Sequence, residues 1–289
     1  MILSWGKKLI KPGRQYRFYS SSSESASDNS ETQSNDLPLI ELEKEIDHGG
    51  QASIYIAKWH DQKYAIKSFY NGKEANILNY LNELKAPNII NYYGAAVTAN
   101  GAKYFMMEYI PQGNLFDFLH SSVSFVWPQR RNIMEEIAIA VNFLHGHNIL
   151  HRDIKPENVL LTDDMHAKLC DFGLSNYCTD SKANKTLVGT EDYLAPETMM
   201  GRSASKKSDI YSMGITFWNM ASRKDMFKND EDPLKVLQRK QSGKPDIIPA
   251  DCPPQIATLI QWCWNPLPSR RPYAKQVVEE LIKSRDNVR

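Results

Sequence analysis

Asp153, Lys155 and Asn158 stand close together in His151-Arg-Asp-Ile-Lys-Pro-Glu-Asn158, and Asp171-Phe-Gly173 comes a short distance on. Pro156 keeps the first segment from being a regular helix, and Gly173 frees the backbone beside the second carboxylate. Together the groups suit phosphate chemistry. Oxygen donors from Asp171 and Asn158 can hold Mg2+, Lys155 can neutralise phosphate charge, and Asp153 can orient a hydroxyl nucleophile. A polar surface loop and a separate turn are the structural alternative, and it must produce both clusters by accident.

Two features nearer the N-terminus bear on the same chemistry. Gly49-Gly50 lies between the strand-like runs Leu42 to Ile46 and Ser53 to Ala57, where glycines let backbone amides approach an anion. A Gly-Gly hairpin also serves purely structural ends. Lys67 closes the run Lys63-Tyr-Ala-Ile-Lys67 and can aim its charge at that anion. The alternative is a lysine whose stem covers apolar surface while its amine reaches water.

The elements that position these groups are set by the rest of the chain. Its 289 residues are enough for one large domain or two lobes. A 42% share of hydrophobic residues and 24% of charged ones is ordinary for a globular protein. Thirty-five Lys+Arg against 34 Asp+Glu leave a formal charge of +1, so no global field draws the chain to nucleic acid or to an anionic membrane. No apolar run approaches the roughly 18–20 residues of a membrane span. Cys170, Cys178, Cys252 and Cys263 form no C-x-x-C pair, which argues against a disulfide framework or a structural metal and for a reducing, cytoplasmic location.

Residues 1–36 differ from the remainder of the protein. A basic start is succeeded by a Ser-rich stretch with almost no apolar side chain, and a disordered arm is expected there, with an organelle-targeting role for residues 1–23 as the alternative. From Ile40 to Tyr109, short β-branched and aromatic runs surround one helical segment near Glu74 to Leu84, as in a small strand-rich lobe. After Gly113, helices dominate: Ile133, Ile137, Val141 and Leu144 mark one buried face, and further helices are expected over Ser208 to Ser222 and Ala274 to Lys283.

On these residues, the chain resembles the eukaryotic-type protein kinase family from about Leu39 to Leu281. The landmarks come in order: Ile46-Asp-His-Gly-Gly-Gln-Ala-Ser-Ile54, Ala65-Ile-Lys67, Met107-Glu-Tyr109, the segment His151 to Asn158, Asp171-Phe-Gly173, and Gly189-Thr-Glu-Asp-Tyr-Leu-Ala-Pro-Glu197. The resemblance implies an α+β, bilobal protein-kinase-like fold over residues 37–285, with a strand-rich N-lobe (about 37–108) holding one main helix and a larger helical C-lobe (about 111–285). It also implies ATP and Mg2+ as cofactors and proteins with serine or threonine acceptors as substrates. The alternative is a kinase-like scaffold that binds partners without phosphotransfer, but its usual mark is loss of the residues at Lys67, Asp153 or Asp171, and all three are here.

Position by position, Lys67 looks like the residue that holds the α- and β-phosphates, and Glu74 like its ion-pair partner, with Glu83 as the other candidate. Asp153 would receive the proton of the acceptor hydroxyl, Lys155 would contact the γ-phosphate, and Asn158 and Asp171 would ligate Mg2+. Ile46, Ile54, Ala65 and Leu160 match the positions that sandwich adenine. Met107 matches the one that limits the rear pocket, and the backbone from Glu108 to Ile110 matches the hinge. Of the Gly-rich loop only the central Gly49, with Gly50 beside it, is kept, because Asp47 and Ala52 stand at the outer positions. Leu78, Tyr92, His151 and Phe172 match an apolar stack.

Lys155 together with Thr190 resembles the serine/threonine-directed pattern. Glu74-Ala-Asn-Ile-Leu78, Trp262-Cys-Trp264 and Arg270-Arg-Pro272 resemble the tyrosine-kinase-like, mixed-lineage branch. Arg152 before Asp153 implies a docking point for a phosphorylated activation segment. Thr186 is the matching acceptor and Thr179 and Ser181 are the next, with solvated loop hydroxyls as the structural alternative. Asp209 matches an acid that braces the catalytic loop, and Arg271 the partner of Glu197.

Overall fold

A computed structural model describes residues 15–19, 39–48, 53–59, 61–68, 71–97, 103–227 and 232–286. Two compact units divide the chain, one comprising Met1–Leu84 and Ile90–Tyr109, the other Lys85–Ile89 and Ile110–Arg289.

In the first unit the elements run β1 (Gln15–Tyr19), β2 (Leu39–His48), β3 (Ser53–Trp59), β4 (Gln62–Lys67), α1 (Gly72–Glu83), β5 (Tyr92–Val97) and β6 (Lys103–Glu108). The strands close into an antiparallel barrel of order β1-β2-β3-β4-β6-β5. Because successive side chains alternate between faces, the register of Ile54 with Lys67 and of Ile56 with Ala65 puts these residues on one face, with Phe105 and Met107 of β6. The other face collects Tyr55, Ala57, Tyr64, Ile66, Tyr104 and Met106 in a buried cluster with Trp59 packed against it. A sheet apolar on both faces explains why β3 and β4 read as near-continuous apolar runs rather than as alternating ones.

Closure of the barrel corrects the expectation for residues 1–36. Gln15–Tyr19 is not an unstructured part of an arm but a strand, paired through Gln15, Tyr16 and Arg17 with β2 and through Arg17, Phe18 and Tyr19 with β5. Its physical reason is the backbone: β2 and β5 would otherwise be edges with unpaired N–H and C=O groups, and one added strand pairs both. The aromatic run Gln-Tyr-Arg-Phe-Tyr is only five residues long within a basic and Ser-rich arm, so composition over the whole arm does not mark it. The remainder of that arm lies outside the described residues.

Helices outweigh strands in the second unit: α2 (Leu115–His120) and α3 (Trp127–Gly146), then after short strands β7 (Ile149–Leu150), β8 (Val159–Leu161), β9 (Ala167–Leu169) and β10 (Asn176–Tyr177) come α4 (Ser181–Asn184), α5 (Pro196–Met199), α6 (Lys206–Ser222), α7 (Pro233–Gln241), α8 (Pro254–Cys263) and α9 (Ala274–Lys283). In α3, Ile133, Ile137, Val141 and Leu144 are buried, as their spacing requires, and α9 packs along the same helix. Residues Ser208 to Ala221 of α6 are buried throughout, so it is the central element of the unit. It ends at Arg223, whose φ of 55° is left-handed. The Arg223 guanidinium donates to the carbonyls of Phe118, Leu119 and Val123, satisfying chain ends around α2. Arg271 and Glu197 form the expected buried pair, with both nitrogens of the fork 2.7 Å from the carboxylate. Among the described residues no helix is long and apolar enough to cross a membrane.

α6 and α8 approach at Gly214, where a Cβ would stand 2.7 Å from Cys263 Cβ and 3.2 Å from the Trp264 amide nitrogen. Any side chain there overpacks the crossing. Gly214→Ala is expected to lower the unfolding free energy by about 1–3 kcal/mol, read as a lower urea midpoint with an unchanged slope. An unchanged midpoint would mean that the two helices have room to spare.

Candidate active site

The first unit contributes an ion pair. Asn71 caps α1 by accepting from the Lys73 N–H, which sets the helix start and leaves Glu74 in the first turn, where the exposed helix N–H groups favour a negative charge. Lys67, the last residue of β4, places Nζ 3.0 Å and 3.3 Å from the two carboxylate oxygens of Glu74. Glu74 is 1% exposed, so the lysine neutralises a charge that burial alone would not tolerate. Glu83, the other candidate partner, is exposed at the end of the same helix. The Lys67 amine also lies 5.8 Å from the centre of the Phe105 ring.

Around Lys67, Ile54 is its direct cross-strand neighbour, Ala65 and Met107 are a buried pair across β4 and β6, and Ile46 on β2 is exposed. Glu108 ends β6 with its N–H donating to Asn91 O and its carboxylate accepting from the Asn91 side chain at 2.8 Å, so both the backbone and the side chain fix the exit from the strand. Leu78 and Tyr92 are buried, and Tyr92 packs on Phe105 with ring centres 5.5 Å apart. Gly49 and Gly50 lie outside the described residues.

The second unit contributes the loop after β7, and a buried acid shapes it. Asp209, in the first turn of α6, accepts from the His151 N–H at 3.0 Å, the Arg152 N–H at 2.9 Å and His145 Nε2 at 2.9 Å. Burial by itself raises the Asp209 carboxyl, but the hydrogen bonds and charges of His145, with the Arg152 N–H, outweigh it and hold the group below the usual aspartate range. Arg152, with φ of 72°, and Asp171, with φ of 58°, both take left-handed backbone conformations. Such conformations persist where the surroundings over-determine them. Around Arg152 the determinant is Asp209. Near Asp171 it is the Cys170 carbonyl, which accepts from His151 Nε2 at 3.0 Å, together with Phe172, fully buried against the His151 ring at 5.0 Å.

These constraints leave Asp153 nearly buried and surrounded by donors. Asn158 Nδ2 donates to its backbone carbonyl at 2.8 Å and to Oδ2 at 2.9 Å, while Thr190 donates to Oδ1 from both its N–H and its hydroxyl at 3.0 Å. Lys155 Nζ stands 2.6 Å from the Thr190 hydroxyl and 3.4 Å from Asp153 Oδ2. Close approach of the two segments depends on Gly189, where φ is 110° and a Cβ would meet the Arg152 carbonyl at 2.8 Å.

Asn158 commits its amide nitrogen to Asp153, so the side-chain oxygen is the atom it has to offer a metal. The Asp171 carboxylate is exposed. An amide oxygen and a carboxylate oxygen are the hard donors that suit Mg2+, which needs only one or two protein ligands when phosphates supply the others. Ile110 is buried at the start of the second unit, and Leu160 is half-buried on β8, bridged to Asn114.

Thr179, Ser181 and Thr186 are all exposed. Arg152 donates from Nη2 to the Thr186 carbonyl at 2.8 Å, and its buried Nε has no hydrogen-bond partner among the described residues. Sequence reasoning misses the asparagine pair that shapes this segment. Asn184 is buried and donates to the carbonyls of Tyr177 at 3.1 Å and Cys178 at 3.3 Å, and accepts from Asn176 at 3.2 Å. Asparagines in a polar loop carry no periodicity, so nothing in the pattern marks these two as buried.

Asp209→Asn keeps one acceptor oxygen but places an amide NH2 against the other backbone N–H, that of His151 or of Arg152, and is expected to cost roughly 2–4 kcal/mol near neutral pH. Because the native carboxyl is held low, its stabilisation is complete above the ordinary aspartate range and is lost as pH falls through the lowered native value. Denaturant titrations across acidic pH should therefore show the gap between wild type and variant closing on acidification. A gap that stayed constant would show that ionisation of Asp209 contributes nothing.

Comparison with known proteins agrees with this geometry. The family model described as the protein kinase domain matches residues 40–281. Mitogen-activated protein kinase kinase kinase 12 of Rattus norvegicus is 30% identical over 255 residues, covering 86% of this chain and 28% of that protein. Mitogen-activated protein kinase kinase kinase 7 of Drosophila melanogaster is 30% identical over 262 residues, covering 86% of this chain and 38% of that protein. A third relative, mitogen-activated protein kinase kinase kinase 13-B of Xenopus laevis, is 31% identical over 234 residues, covering 81% and 24%. The chain thus spans well under half the length of these curated relatives. With a strand-rich unit that carries the Lys67–Glu74 pair, a helical unit that carries the Asp153 loop, and a family match running through both, the chain belongs to the protein kinase domain family.

Proposed function

We propose that this chain is a serine/threonine protein kinase whose domain occupies residues 37–285 and which transfers the γ-phosphoryl group of ATP to hydroxyls on protein substrates. The observation that carries the reading is the arrangement at Asp153, where a carboxylate oxygen, a threonine hydroxyl and a lysine amine succeed one another at 3.0 Å and 2.6 Å. The protein's own Thr190 displays there the contact that an acceptor hydroxyl needs. Asp153 accepts the hydroxyl proton as the oxygen attacks phosphorus, the bond from phosphorus to the bridging oxygen breaks, and ADP leaves with that oxygen. Lys155 offsets negative charge on the transferred group, and Lys67, held by Glu74, does the same for the phosphates that remain. Asn158 and Asp171 are the residues that would hold Mg2+, which when bound neutralises phosphate charge.

Ile46, Ile54, Ala65, Met107 and Leu160 supply apolar contacts for the adenine, with the backbone from Glu108 to Ile110 for its polar edge. Gly49 and Gly50 supply backbone amides for the phosphates. Control by phosphorylation of Thr186, or of Thr179 or Ser181, fits the Nε of Arg152, which has no partner among the described residues and is a donor suited to a phosphate oxygen. Four free cysteines fit a reducing, cytoplasmic compartment.

Transfer of labelled phosphate from Mg-ATP to a mixed peptide library, with acceptor sites read by mass spectrometry, tests the proposal. Asp153→Asn is expected to lower the turnover number by about 10²- to 10⁴-fold, with serine and threonine as the acceptors. Equal labelling by wild type and Asp153→Asn would refute the role of Asp153. A wild type that binds ATP but labels nothing would instead support a scaffold.

A further inference from the structure

Lys240 is a lysine that no part of this mechanism uses, and it is fully buried. On α7 it shares the inner face with Val236, one turn earlier. Its Nζ lies 2.7 Å from the Glu191 carbonyl oxygen and 2.8 Å from the Leu194 carbonyl oxygen. Two aromatic faces complete its surroundings, Phe227 at 5.1 Å and Tyr211 at 5.9 Å from the amine. A buried amine without partners would be strongly unfavourable, so the site is built to receive it.

Both carbonyls belong to one short segment. Glu191–Tyr193 is a single 3-10 turn, and the Leu194 N–H closes it onto Glu191 O at 3.1 Å. Lys240 therefore clasps the turn from both sides, sharing the Glu191 carbonyl with the Leu194 N–H and satisfying the Leu194 carbonyl beyond its last residue. Ser212 of α6 holds the intervening Tyr193 carbonyl at 2.8 Å. At the other end of the same segment, Thr190 donates twice to Asp153. The segment is thus fixed at one end by the carboxylate of the candidate site and at the other by Lys240.

We propose that Lys240 is a positioning residue for the acceptor peptide, holding the backbone of Glu191 to Leu194 so that Thr190 meets Asp153 and the adjoining surface is preformed for a substrate chain. This rests on the kinase reading above. Burial lowers the Lys240 amine to about 7, despite the opposing charges of Asp192 and Glu191. A neutral amine has two N–H groups, which is the number of carbonyls it faces.

Lys240→Met keeps the length and apolar stem of the side chain and removes both donors, and Lys240→Gln keeps an NH2 group. In Lys240→Met, amide exchange at residues 189–197 is expected to accelerate about tenfold relative to α6, as loss of roughly one net buried hydrogen bond implies. The KM for an acceptor peptide should rise by a similar factor while the KM for ATP stays the same, and Lys240→Gln should recover part of both. Exchange at 189–197 equal to wild type in a folded Lys240→Met would overturn the proposal. Nitrogen-15 NMR of the lysine side chains in the wild type decides the matter should that variant fail to fold: a single amine with slowly exchanging protons supports the assignment, and uniformly fast exchange overturns it. If the wild type transfers no phosphate, the kinase reading falls while the exchange comparison still judges Lys240.

Discussion

A buried carboxylate on the central helix governs the chemistry of the second unit. Asp209 carries no reacting group, yet its two oxygens collect the N–H groups of His151 and Arg152 and so impose the left-handed turn from which Asp153 projects. Backbone in that region is costly for a residue with a side chain, and it survives because the buried acid needs those N–H groups to satisfy its oxygens. On this depend the Asp153 carboxylate held by Asn158, the Thr190 hydroxyl held by Asp153, and the approach of Gly189 to the Arg152 carbonyl. Removing the acid would loosen the chain that carries these contacts without touching any atom that would meet a phosphate.

The first unit solves a similar problem with two residues. Glu74 is placed by a helix start, Lys67 by a strand end, and the charge of each makes the burial of the other tolerable. The connection between them is short, and that spacing makes Glu83 a rival partner on sequence grounds. The structure brings the Lys67 amine to Glu74 because the Asn71 cap starts the helix early enough for its first turn to face β4, while Glu83 falls on the exposed far end. One hydrogen bond at a helix start thus determines which acid is buried.

How much of this is legible in the sequence depends on the kind of signal. Types and spacing single out Asp153, Asn158 and Asp171 as candidates, the resemblance to the kinase family adds Lys67, and the 3.6-residue period discloses α3 and α9. The strand-rich and helical divisions are equally readable from the change in apolar pattern. Three features are not. β1 is held by main-chain pairing, which composition does not report. Asn184 is buried through its amide contacts to backbone, in a stretch whose polarity suggests exposure. Lys240 occupies the inner face of a helix at a position where periodicity alone asks for an apolar residue, and its reason for being there lies in carbonyls far away along the chain. β1 and Lys240 depend on partners distant in sequence, and Asn184 on backbone groups that any residue could supply, so local pattern finds none of them.

Closure of the barrel also has a mechanical side. The first half of β1 is zipped to β2 and the second half to β5, two strands that are neighbours only through it. Tension on the chain ahead of Gln15 therefore loads two ladders together, and detaching that short strand converts a seamless cylinder into an open sheet with two raw margins. Five residues, Gln15–Tyr19, thus act on the barrel as a keystone does on an arch.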